Sequence, residues 1–150
     1  MSGSSPHTLA TIRRLLLGLL AFGMTGTTAE LWLMGHHEDW KQLIPLAMMG
    51  LSMVALIWFW RSQQGAAAWL FRVCMVLLAV TGAAGSVLHY RANMEFQLEM
   101  DSSLGGMALL TKVLHAKAPP ALAPANMALF GLLGLISTLG VERSSGTTRA

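Results

Sequence analysis

The sequence predicts an all-α integral membrane protein: a four-helix bundle with both termini on the cytoplasmic side and a short interfacial helix on the outer face. Three observations lead there. Of the 150 residues, 54% are hydrophobic and only 11% charged, where soluble domains carry roughly 25% charge. Four apolar segments approach or reach the length of about 20 residues that a helix needs to cross a bilayer core. Trp32, Trp40, Trp58, Trp60, Trp69 and Tyr90 fall at or near the ends of those segments, as an interfacial aromatic belt requires.

The chain divides accordingly into a polar N-terminal tail (1–11), a single transmembrane domain (12–142) and a polar C-terminal tail (143–150). The expected spans are Leu15–Met34, Leu43–Trp60, Trp69–Leu88 and Ala121–Val141, because lipid leaves no water to satisfy an open backbone. Pro45 and Pro124 sit near the starts of the second and fourth, where a missing N–H costs little. Arg13-Arg14 followed by Leu15–Met24 also has the outline of a signal peptide. The apolar run resumes through Leu31–Met34, however, and Thr27-Thr28-Ala29 is a poor cleavage site, so a retained first span is expected.

Charge sets the expected orientation. With the N-terminus inside, Arg13, Arg14, Arg61, Arg72, Arg143 and Arg149 are cytoplasmic, and Lys41, Arg91, Lys112 and Lys117 are outside. The positive-inside rule favours that choice. The outer loop, residues 91–120, contains a segment from Ser102 to Lys117 in which Leu104, Met107, Leu110, Thr111 and Leu114 lie roughly on one side. It reads as an amphipathic interfacial helix capped by Ser102 or Ser103. The expected location is the cell membrane, multi-pass, the inner membrane in a bacterium.

Several function classes fall away. Disordered chains are polar and highly charged, unlike this one. A net charge of +3 with no dense basic run cannot follow a nucleic-acid backbone. The lone Cys74 provides neither a disulfide framework nor a cysteine-based zinc site. Ser52, Ser86 and Ser137 lie in spans without a nearby base, so no nucleophile–base pair announces an enzyme. Transport is disfavoured because four short spans leave little room and the inner half is expected to hold no buried charge.

The remaining polar residues are gathered rather than spread. Six of the seven acids (Glu30, Glu38, Asp39, Glu95, Glu99, Asp101) and four of the five histidines (His36, His37, His89, His115) fall on the outer side. Residues 30, 34, 37 and 38 share one helical face, as do 89, 93 and 97. If the outer ends of the first and third spans lie side by side, Glu30, His37 and Glu38 approach His89, Asn93 and Glu95. Carboxylate and imidazole on facing helices form the donor set of zinc, iron or manganese sites. These six residues are the candidate ligands, with His36 and Asp39 expected in a wet loop. Copper is less favoured, because the 11 methionines form no Met-x-x-Met cluster. Haem b between His37 and His89, with Gly35, Gly82 and Gly85 near the ring, is likewise secondary. The alternative reading is a non-catalytic accessory subunit of a larger respiratory or photosynthetic membrane complex, or a homo-oligomer. Gly82-x-x-x-Ser86 and Gly134-x-x-x-Thr138 are small-xxx-small patterns that let helices approach closely.

Overall fold

A computed structural model describes residues 6–116 and 124–141. Those residues are entirely helical apart from turns, with no strand among them. The helices are α1 (Pro6–Leu33), α2 (Trp40–Ser62), α3 (Gly65–Met100), α4 (Gly106–Leu114) and α5 (Ala125–Ser137). By length and composition, α1, α2 and α3 can each cross a membrane. The expected tails, Lys117, Pro119, Pro120, the first residues of the fourth span and Glu142 lie wholly or partly outside the described residues.

Helix starts and stops follow local chemistry. At the end of α1, Gly35 takes the left-handed conformation (φ +71°). The His36 N–H then reaches the Leu31 carbonyl (2.9 Å) and the Gly35 N–H reaches Trp32 (3.1 Å), the two bonds of a Schellman motif. Gly35, expected near a haem ring, is thus required by the backbone. Asp39 opens α2 through a capping box: its side chain accepts from the Lys41 N–H (3.0 Å), and Gln42 Oε1 accepts from the Asp39 N–H (3.3 Å). Asp39, expected to be merely wet, is a helix cap. Because α2 begins at Trp40, Pro45 lies in its second turn and removes the N–H that would meet the Lys41 carbonyl.

Two lengths depart from expectation. The third helix has 36 residues and extends about 54 Å, far beyond about 30 Å of hydrocarbon. Nothing in 89–100 stops a helix: the segment has no Gly or Pro and is rich in Met, Leu, Glu and Gln, all good helix formers. The fourth expected span, by contrast, contains a helix of 13 residues, about 20 Å long. Pro124 stands at its N-cap, and the chain turns at 138–140.

Packing places α1 against α2 and α5, and α3 against those same two helices. Helices α1 and α3 therefore occupy opposite corners, not the side-by-side position expected. The closest seam is α3–α5, which run antiparallel. A Cβ on Gly82 would strike the Ala128 backbone and the Pro124 carbonyl, and one on Gly131 would strike the Met75 carbonyl and Ala79. The small residues thus join two helices of one chain. Leu17, Leu20, Met24, Met49, Leu56, Phe59, Phe71, Met75 and Leu78 fill the centre. The Phe59 and Phe71 rings stack at 4.8 Å near the α2–α3 turn. The opposite surface is apolar as well, with Leu15, Phe22, Leu33 and Val80 all exposed; outward apolar side chains suit a lipid solvent.

Candidate functional site

The helices have two chemically different poles. At one, the start of α1, the α2–α3 turn and the end of α5 meet around arginines. At the other, the α1–α2 turn, the C-terminal half of α3 and α4 carry the histidines His36, His37, His89 and His115.

At the arginine pole the last four carbonyls of α5 need partners that no further turn supplies. Ser137 Oγ donates to the Gly134 carbonyl (2.6 Å), Thr138 Oγ1 to Leu135 (2.8 Å) and the Leu139 N–H to Ile136 (3.1 Å). The fourth, Ser137, accepts from Arg13 Nε (2.9 Å). Arg13 also reaches the Leu139 carbonyl (3.0 Å) and Gln63 Oε1 (3.3 Å). From the other side, Arg72 Nε donates to Thr138 Oγ1 (3.1 Å), and its Nη2 to the carbonyls of Thr138 (3.2 Å) and Val141 (3.0 Å). Two helices thus each place a guanidinium on the C-terminus of a third, where the macrodipole favours cations. Both arginines are half-buried, so this half carries charge partly withdrawn from solvent, although no charged side chain among the described residues is fully buried. The sequence shows their charge but not their acceptors, most of which are main-chain oxygens at the end of α5 and the turn after it.

The histidine pole is looser. His37 is exposed, and its ring stacks on Trp32 at 4.5 Å with an interplanar angle of 12°. The half-buried His36, one residue earlier, is the histidine that senses α3. Burial, together with the charge of nearby His89, lowers its pKa below the ordinary imidazole value. Helical spacing on α1 favoured His37 over His36. The helix ends at Leu33, however, and the left-handed Gly35 redirects the two rings.

The other candidate ligands are distributed as follows. Glu30 is exposed on the last turn of α1, Glu38 is exposed within the turn, and Glu95 is exposed on α3. Asn93, one turn beyond His89, is buried. His115 is exposed, with Nδ1 2.8 Å from the Thr111 carbonyl. Among the described residues, no three His, Cys, Asp or Glu side chains gather closely enough to hold a metal ion.

Beyond His89, α3 continues to Met100, and α4 packs back on it with Val113 fully buried. The expected serine cap is absent: Gly105 precedes α4 without a side-chain bond. Ser103 instead donates to Asp101 from both its N–H (3.0 Å) and its hydroxyl (2.6 Å). These bonds hold the Asp101 carboxyl below its ordinary pKa. Met107, Leu110 and Leu114, at i, i+3 and i+7 of α4, remain exposed, a surface stripe of the expected kind. Comparison with protein-family models, curated proteins and solved structures found no match.

Proposed function

We propose that this chain is a multi-pass protein of the cell membrane whose histidine pole binds a metal ion or cofactor on the outer side. Helices α1, α2 and α3 cross the bilayer, and α5 fills the fourth corner of a four-helix bundle. The arginine pole and both termini face the cytoplasm, and α4 rests at the outer interface through Met107, Leu110 and Leu114. The observation that carries the functional reading is the approach of His36 to His89. Two elements from separate parts of the chain put imidazoles within electrostatic reach of each other, and the lowered pKa of His36 favours its neutral form, the one that ligates metals.

A pair of imidazoles with carboxylate neighbours suits zinc, iron or manganese. His36 joins the original set of Glu30, His37, Glu38, His89, Asn93 and Glu95. His89 and His36 are the nitrogen donors, and the exposed Glu30, Glu38 and Glu95 are the oxygen donors that would complete the shell. Stacking on Trp32 assigns His37 a packing role first. Elemental analysis of protein purified without chelator tests the reading. Bound metal that is lost in both His36→Ala and His89→Ala supports it, and a metal content at background sinks it.

A second reading, a non-catalytic subunit of a larger membrane assembly, is favoured by the α3–α4 projection. The last turns of α3 leave Phe96 and Met100 exposed beyond the length that lipid can cover, a surface suited to a partner subunit. Co-purification in mild detergent separates the readings: a lone chain carrying metal contradicts the subunit role.

A further inference from the structure

We infer that the arginine pole holds the phosphate of an anionic lipid headgroup between Arg13 and Arg72; this rests on the membrane reading above, not on the metal site. Arg13 and Arg72 both bond to the same short stretch, Ser137 to Val141, so their guanidinium groups converge on the end of α5. Arginine remains charged in any protein setting. Yet every hydrogen bond from these two among the described residues ends on a neutral oxygen: four carbonyls, one hydroxyl and one amide.

The end of α5 offsets only about half an elementary charge. Among the described residues, two half-buried cations against that partial charge leave the end of α5 net positive. The exposed Arg14 and Arg61 add to the same pole. Arg72 Nη1 takes no part in the bonds to the α5 turn, so a donor remains for an incoming oxygen. Phosphate is the anion whose geometry matches a guanidinium fork.

The surroundings select a lipid source over free phosphate. Leu139, whose carbonyl Arg13 holds, is 70% exposed, and Leu15, two residues beyond Arg13, is 68% exposed. Trp58, Trp60 and Trp69 are exposed at the same end of α2 and α3, where indoles mark a membrane–water interface. A headgroup seated on the arginines can lay its acyl chains over this apolar rim. Basic pockets between membrane helices on the cytoplasmic side take anionic headgroups for the same reason.

The test uses the full chain in phosphatidylcholine nanodiscs containing a small fraction of either brominated phosphatidylglycerol or brominated phosphatidylcholine, with tryptophan quenching as the readout. The wild type is expected to prefer the brominated phosphatidylglycerol about fivefold, the effect of roughly one basic contact. Arg72→Lys keeps the charge but not the fork and reduces the preference; Arg72→Gln removes most of it. The wild-type comparison stands alone if Arg72→Gln does not fold. Equal quenching by the two lipids overturns the inference. A preference that inorganic phosphate at physiological ionic strength abolishes completely assigns the arginine pole to free phosphate and overturns the lipid source. A chain that does not enter nanodiscs at all defeats the membrane reading itself.

Discussion

The two poles solve the same problem, how to end helices, by opposite means. At the arginine pole, side chains from α1 and α3 reach across to α5, and six hydrogen bonds tie three helices and the α2–α3 turn together. At the histidine pole, α1 and α2 end on local devices, a Schellman turn at Gly35 and a capping box at Asp39. Bonds between neighbours in sequence leave side chains such as His36, Glu30 and Glu38 uncommitted. Long-range bonds gather at the arginine pole, and local ones at the histidine pole.

If that contrast is correct, the largest losses of stability come from the α3–α5 seam that leads to the arginine pole. Gly131→Leu drives a side chain into the Met75 backbone and Ala79. It is expected to cost about 3 kcal/mol, read as a lowered Tm in detergent. Gly26→Leu, where nothing lies within 4 Å, is expected to change Tm little; an equal loss would break the comparison. Next comes Arg72→Met, which strips the Thr138 and Val141 carbonyls of their donor. An expected loss of about 2 kcal/mol is checked by thermal unfolding, with Arg72→Lys recovering part of it.

Substitutions at the histidine pole are expected to cost less. Asp39→Ala removes a helix cap worth about 1 kcal/mol and should leave the α3–α5 seam intact. Trypsin cleavage at Lys41, faster in the variant, provides the readout.

The smallest effect is on pH dependence. His36 has a lowered pKa in the folded chain, so below the ordinary imidazole value the unfolded chain binds the proton more readily. Stability is therefore unaffected above that value. It falls as pH drops from there toward the lowered folded value, and His36→Gln should flatten the fall. For Asp101, also lowered, the turn it forms with Ser103 is favoured above the ordinary carboxylate value. That advantage fades as pH falls through the lowered one.

The sequence made the three long helices legible because each is predominantly apolar over about 20 residues, and lipid demands that such a stretch be helical. It also announced the gathering of acids and histidines, since topology alone sorts residues by side. The diagonal placement of α1 and α3 was not legible. It depends on which glycines face which helix: Gly82 was visible as half of a small-residue pair, but its partner surface, Pro124 to Ala128, was not. Arg13 and Arg72 were counted only as cytoplasmic charges, because a sequence shows cations but not the orphan carbonyls awaiting them. His36 was passed over for His37 because helical periodicity was extended past Leu33, through a residue that the Schellman turn places at positive φ.

The most direct test of the histidine pole is pulsed EPR of the full chain loaded with one equivalent of Cu²⁺ as a paramagnetic probe, counting the imidazole nitrogens coupled to the metal. Two coupled imidazoles are expected in the wild type, one in His36→Ala and one in His89→Ala, with His37→Ala unchanged. A spectrum without coupled imidazoles, or one that His37→Ala alone alters, contradicts the pairing of His36 with His89.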